Sequence, residues 1–214
     1  MLFNLSVATS TIPRQWKQAS IRPISKVAAP RKHADFRPVS VTPVLTRIME
    51  QTVVQTFLYP AFLSPPPTLS FSDQFGFRPT GSPEAAIINL LHTVTNMLLT
   101  NLYVAVISLD SSKAFDTVRH ATLLVNKLAE LDLPVYVHNW MVEFFSEHSH
   151  CTEYNAQRSS MKKITASIIQ GSGIGPASYV ITAADLKVIN AGNKLVKFAD
   201  DTYEIGRASC RERV

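Results

Sequence analysis

Apolar positions recur along this chain in two rhythms. Between residues 44 and 62 they fall three or four apart, at Leu45, Ile48, Met49, Val53, Phe57 and Leu58, the spacing of one helix face. A second helical stretch is predicted from a cap at Gly81 or Ser82 through about Thr100, with Pro83 in its first turn, where a missing N–H is tolerated. Further helices are predicted over 122–131, over 135–147 behind Pro134, and over 176–188. Short β-branched, apolar runs at 18–27 (interrupted by Pro23), 103–109 and 194–199 read instead as strands. Two β-like stretches between Tyr154 and Ile169 flank Gln157-Arg158-Ser159-Ser160, a hairpin by pattern, and Pro65-Pro66-Pro67 is a stiff connector that no helix crosses. Strand, helices, hairpin, helix and strand in that order predict an α+β fold. No repeat or low-complexity segment interrupts it.

Two of the strand-like runs end in acids. Asp110 follows the run 104–109, and the pair Asp200-Asp201 follows 195–199. A carboxylate at the end of a buried strand loses solvation unless a cation or donor compensates it. Three of them brought together from two strands make an anionic, all-oxygen pocket of the kind that hard divalent ions prefer. Two such ions roughly 3.5–4 Å apart can clamp an in-line displacement at phosphorus, which points to nucleotidyl transfer. Taken singly, each cluster has a plainer alternative. Asp-Asp suits a solvated turn, and Asp110 suits the N-cap of the segment that follows. The residues between the clusters shift the balance, because Ile169-Gln170-Gly171-Ser172-Gly173-Ile174-Gly175-Pro176 is a glycine-dense turn leading into an apolar helix.

A chain of 214 residues, 46% of them hydrophobic, buries a sizeable core and suits one domain, or one domain with lobes. Charged residues at 17% are too few for a disordered polar chain. The net charge of +5 permits nucleic-acid binding without requiring it. Cys151 and Cys210 have no paired spacing, so neither a disulfide framework nor a zinc site is indicated. His148, His150 and Cys151 in EHSHC lack a distant ligand pair to complete a tetrahedral set and read as a surface loop or strand end. The opening MLFNLSVATS has no basic leader and is not expected to be a signal peptide, and no apolar run is long enough to span a membrane.

Five blocks in order are similar to the reverse transcriptase domain of non-LTR (LINE-like, jockey-type) retrotransposons. DFRPVS at 35–40 resembles the fingers motif, QFGFRPTGS at 74–82 the block after it, and SLDSSKAFDTVRH at 108–120 the first palm motif. QGSGIGP at 170–176 resembles the template- and nucleotide-positioning motif, and FADD at 198–201 the metal-binding turn. The resemblance implies a right-hand polymerase of fingers and palm, with the thumb absent from this chain. Residues 1–100 would form the fingers and their connection, and 101–203 an incomplete palm. It implies an RNA-directed DNA polymerase that adds dNTPs to a DNA primer on an RNA template. Asp110, Asp200 and Asp201 would hold two Mg²⁺ ions, with Mn²⁺ an alternative. Phe115 would lie beneath the incoming sugar and exclude a ribose 2′-hydroxyl, though it also suits the core. Gln170 and Gly171 would sit against the template–nucleotide pair, while Lys26 and Arg37 would reach the triphosphate or serve as ordinary surface cations. Asp116 stays outside the triad, and Trp16, Phe75 and Phe77 are expected in the core. A dinucleotide fingerprint is the rival for the glycine turn, but Pro176 stands where it needs Gly or Ala.

Two other functions fit parts of the pattern. A viral RNA-dependent RNA polymerase shares the acid spacing, but generally places a polar group near the sugar and Gly-Asp-Asp in the turn. A non-catalytic RNA-binding remnant of a decayed element is the reading from another class. The last ten residues, 205–214, resemble translated sequencing adapter: ATC GGA AGA GCG TCG TGT AGG GAA AGA GTG encodes them in order. Residues 204–214 are therefore expected to be a non-native tail, leaving only Thr202 and Tyr203 for the strand returning from the Asp pair. The polypeptide is accordingly expected to be inactive or barely active by itself, although its parent element would act on nuclear DNA.

Overall fold

The computed structural model describes residues 2–111, 114–169 and 171–208. Helix α1 (Leu2–Ala8) comes first, tied to the interior by Ser6, whose hydroxyl accepts from Trp140 Nε1 at 3.0 Å. Strands β1 (Gln18–Ser25) and β2 (Phe36–Val41) follow as an antiparallel hairpin, with Ser20 opposite Val41 and Pro23 opposite Pro38. The sequence pattern misses β2, because Arg37 and Pro38 break its apolar alternation. Helix α2 (Val44–Val53) passes through a π-helical turn (Val54–Leu58) into α3 (Tyr59–Ala61), close to the predicted 44–62. Its buried side is rotated from the expected one: Thr46, Met49, Glu50 and Val53 are buried, whereas Leu45 and Ile48 are exposed.

Helix α4 (Pro83–Leu98) begins where its cap predicts, with Ser82 Oγ accepting from Ala85 N at 3.1 Å. Strand β3 (Val104–Leu109) is next, then the short α5 (His120–Thr122), which continues through π and 3-10 turns to Glu130. Helix α6 (Val135–Phe145) leads to β4 (Ser149–Tyr154), β5 (Gln157–Arg158) and β6 (Lys162–Lys163). The hairpin turn falls at Asn155-Ala156 rather than at 157–160. Both residues take positive φ (48° and 60°), the geometry a two-residue hairpin loop favours and one that Asn tolerates. Helix α7 (Gly175–Thr182), β7 (Lys194–Phe198) and β8 (Asp201–Arg207) complete the described chain.

The strands form two sheets. One has the order β2-β1-β4-β5, with β6 also on β4 and β1 parallel to β4. The other is antiparallel, β3-β8-β7. Each sheet draws on both halves of the chain, since β4–β6 join β1, and α4 lies across β3, β7 and β8. A stripe on α4 of Ala86, Leu90, Val94 and Met97 covers Val104, Val196, Phe198 and Ile205 of that second sheet. Strand β8 extends past the expected Tyr203 through Arg207, and Ile205 is fully buried in its middle. The larger core joins α2, α6 and α7 through Met49, Leu58, Trp140, Phe144 and Ile181, and contains Trp16 as predicted. Phe75 packs on the smaller cluster. Phe77 does not belong to either core: it is 42% exposed and takes φ 57°. His148 departs from its predicted surface position. It is buried, and burial first, then the charges of His120 and Lys17, lower its pKa to about 4.

Lys197 of β7 is buried at 1% exposure, yet every one of its ammonium donors has a partner. It donates to Asp73 Oδ2 at 2.9 Å, to the Leu186 carbonyl at 2.8 Å and to the Ala183 carbonyl at 3.2 Å. Helix α7 stops at Thr182 and not at the predicted 188, and the ammonium satisfies carbonyls of the turn that follows it. Replacing Lys197 with Met keeps the length but strands the half-buried Asp73 carboxylate and two carbonyls. Lys197→Met should lower the unfolding free energy by about 3 kcal/mol, read from urea denaturation.

Candidate active site

The register of the second sheet decides where the acids stand. Strand β8 pairs with β3 from Val104↔Arg207 to Leu109↔Thr202, so Asp110 leaves β3 beside Asp201. On the other side Phe198 pairs with Asp201, which makes Ala199-Asp200 a two-residue hairpin loop. Residues ninety positions apart thus reach one end of one sheet. Asp110 and Asp201 are exposed and Asp200 is half-buried. Among the described residues no cation pairs with any of the three, and no three acid, His or Cys side chains are gathered closely enough to hold a metal ion. The backbone brings the acids together; their side chains do not converge. The EHSHC segment likewise gathers no metal-ligand group among those residues.

Two aromatic rings adjoin this sheet end. Tyr179, buried on α7, has its phenol pKa raised, first by burial and then by the charges of Asp200 and Asp201. Phe115 packs on it with ring centroids 4.6 Å apart and planes inclined by 36°. Phe115 is half-buried, held by its carbonyl accepting from Ile168 N at 2.8 Å. The predicted sugar-contacting residue therefore shares an environment with the predicted acids, through a tyrosine the sequence did not single out. Asp116 is exposed and points elsewhere, into a small cleft of about 60 Å³ with Pro38, Ser40 and Ile169.

The glycine turn faces the first sheet. Among the described residues Gly171 is the one glycine with positive φ, 102°, and a Cβ there would lie 2.7 Å from the Ser40 carbonyl of β2. Gln170 lies outside the described residues. Lys26 and Arg37 belong to the same β1–β2 hairpin and are exposed. Arg37 sits three residues from Ser40, about 10 Å along an extended strand. The Lys26 ammonium folds back to the Ala34 carbonyl at 3.2 Å. No described contact joins either cation to the acids; the link between them runs through β2 and the turn.

Glu50 is a residue that sequence reasoning missed. Fully buried on α2, it accepts from the Ser172 hydroxyl and from Ile174 N at 3.1 Å, fastening the glycine turn to the helix. Its other oxygen, Oε1, has no partner among the described residues. The signal was present: Glu50 follows Met49 and precedes Val53 by three, an acid on an otherwise apolar face.

Comparison with known proteins accords with this geometry. The family model for reverse transcriptase (RNA-dependent DNA polymerase) matches residues 29–210. The chain is 31% identical, over 94% of its length, to the RNA-directed DNA polymerase from mobile element jockey of Drosophila melanogaster, of which it covers 22%. It is 30% identical over 98% of its length to the jockey counterpart of Drosophila funebris, covering 23%. The probable RNA-directed DNA polymerase from transposon X-element of Drosophila melanogaster is 25% identical, with 98% and 23% covered. The chain thus spans under a quarter of the length of these curated relatives. Among solved structures, apo telomerase from Candida tropicalis truncated from its C-terminal domain superposes with a TM-score of 0.61 at 12% identity, over 97% of this chain and 48% of that one. Telomerase from the same organism, in complex with the TWJ fragment of telomeric RNA, gives 0.63 at 13% identity, over 94% and 37%. At such identity the likeness establishes the fold, a fingers-and-palm arrangement.

Burial raises the Glu50 carboxyl above its ordinary 4.5, against the opposing hydrogen bonds from Ser172, Ile174 and Gly173 and the charge of Arg47. The folded chain therefore keeps a proton that the unfolded chain has already released. This contribution to stability is complete below about pH 4.5 and is lost as pH climbs through the raised value. Glu50→Gln keeps the acceptor for Ser172 and Ile174 without the buried charge. The unfolding free energy of Glu50→Gln minus that of the unsubstituted chain should grow as pH rises above about 4.5, measured by urea denaturation.

Proposed function

Because this chain belongs to the reverse transcriptase (RNA-dependent DNA polymerase) family, we propose that it forms the fingers and palm of an RNA-directed DNA polymerase from a jockey-type non-LTR retrotransposon. The observation that carries this reading is the Leu109↔Thr202 register, which sets Asp110 beside the Asp200-Asp201 turn. The donor chemistry fits a divalent metal: three carboxylates, all oxygen, with no competing cation among the described residues. Asp110 and Asp201 are exposed, so no packing opposes their turning toward a shared Mg²⁺ or Mn²⁺. Bound there, such ions would supply Lewis-acid stabilisation of the phosphoryl charge and acidify a primer 3′-hydroxyl.

The remaining roles belong to the chain's own side chains. The Phe115 ring, backed by Tyr179, would close the space that a ribose 2′-hydroxyl needs and so select dNTPs. Gln170 and Gly171 would seat the template–nucleotide pair, with Gly171 free of a side chain that would otherwise strike Ser40. Lys26 and Arg37, on an exposed hairpin, would neutralise the triphosphate, Arg37 by bidentate contact and Lys26 as a point charge. Residues 1–100 serve as fingers with their connection and 101–203 as palm in this reading, with RNA template, DNA primer and dNTPs as partners. Among the described residues no helix is long and apolar enough to cross a membrane.

Two substitutions, made in the uninterrupted reading frame that contains these residues, test the assignment. Asp110→Ala should reduce dNTP incorporation on a primed RNA template by at least about a hundredfold, while RNA binding stays within about twofold. Polymerisation at an unchanged rate would remove Asp110 from the site. Phe115→Val should admit rNTPs, and unchanged sugar selectivity in the same assay would count against the gate.

A further inference from the structure

We propose that Gln74 is a positioning residue for the carboxylate turn, acting on the backbone of Ala199 rather than on substrate or metal. The role rests on the reading above, that Asp110, Asp200 and Asp201 hold divalent ions. Gln74 is buried, and its single side chain satisfies both polar groups of one distant residue. Nε2 donates to the Ala199 carbonyl at 3.2 Å, and Oε1 accepts from Ala199 N at 2.9 Å. The same oxygen accepts from Gly76 N at 2.9 Å, which fixes the amide in its own loop. Arg78 Nη1 donates to the Phe71 and Gln74 carbonyls and closes that loop behind it.

Ala199 needs such a hold. Its φ is 56°, a left-handed conformation that costs a non-glycine residue about 1 kcal/mol. It is also the residue from which the backbone turns into Asp200 and Asp201. Segment 73–75 runs beside β7 as a short parallel neighbour, with Lys197 N donating to the Asp73 carbonyl at 2.7 Å and Phe75 N to the Lys197 carbonyl at 2.8 Å. The Gln74 amide then continues this pairing two residues further, where the ladder itself has ended. A primary amide suits the task because it presents one donor and one acceptor edge together. The approach is close enough that a Cβ on Gly76 would come within 2.4 Å of Ala199 N. A shift in Ala199 would re-aim both aspartates at once, so the clamp acts on metal affinity through geometry alone.

The test uses Mn²⁺ titration of the 214-residue chain, with free ion followed by electron paramagnetic resonance, and amide hydrogen exchange at residues 199–202. Gln74→Glu is near-isosteric and sets an oxygen against the Ala199 carbonyl; Gln74→Ala removes the clamp. Both should speed exchange at Ala199 and weaken Mn²⁺ binding by about tenfold or more, as loss of an orienting partner does at other metal sites. Adding Ala199→Gly to Gln74→Ala should recover part of the affinity, since glycine takes positive φ without strain. Asp201→Asn is the control for the site itself. Mn²⁺ binding that is lost in Asp201→Asn but intact in Gln74→Glu would overturn the positioning role and leave the carboxylate site standing. An unsubstituted chain binding Mn²⁺ no better than Asp201→Asn would overturn the site, and the role of Gln74 with it.

Discussion

The placement of β8 between β3 and β7 is the constraint on which the chemistry depends. Side chains alternate along a strand, so a slip of one residue would send Ile205 out of the core and Asp201 away from Asp110 together. The apolar stripe of α4 covering Val196 and Ile205 resists any such slip. Hydrophobic burial on one face of the sheet thereby determines which carboxylates meet at its end. No interaction among the acids is needed to bring them there, which matters because like charges oppose their own assembly.

A second chain of contacts ties this end to the first sheet and to α2. The turn after Gly171 is caught between the Ser40 carbonyl of β2 and the Glu50 carboxyl of α2, and it opens directly into α7. From α7, Tyr179 reaches both Phe115 and the field of Asp200 and Asp201. The glycine turn, the Phe115 ring and the sheet end that carries Asp200 and Asp201 therefore all adjoin one helix. Burial of the Glu50 carboxyl carries a cost in desolvation, which the hydrogen bonds from Ser172 and Ile174 offset in part.

What the sequence made legible follows from the range of each interaction. Strands β3 and β7 announce themselves by β-branched runs, and α4 by Ser82 and Pro83, because those signals are local. The hairpin turn at Asn155-Ala156 is not legible because it lacks the glycine that usually marks such loops, while the polar run after it has turn-like composition. The buried face of α2 is not legible because Glu50 finds its partners in a turn more than a hundred residues away, and the pairing of Gln74 with Ala199 is hidden for the same reason. The reach of β8 to Arg207 rests on Ile205, an apolar residue in a segment whose codon pattern argued for a foreign tail.

The facing prolines of the β1–β2 hairpin have a consequence for how molecules meet. An antiparallel rung that exchanges two hydrogen bonds cannot be built from two prolines, so Pro23 and Pro38 must occupy a rung whose amides would face outward. Strand β4 pairs with β1 only from Gln18 to Ile21, and beyond that its tip meets the hairpin through side chains, Glu153 with Arg22 and Tyr154 with Phe36. With no N–H on either flank at the proline rung, and Lys26, Arg31, Lys32 and Arg37 exposed around it, the hairpin is a poor template for another strand. Sheet growth between molecules, which an ordinary ribbon would invite, is disfavoured at that rung.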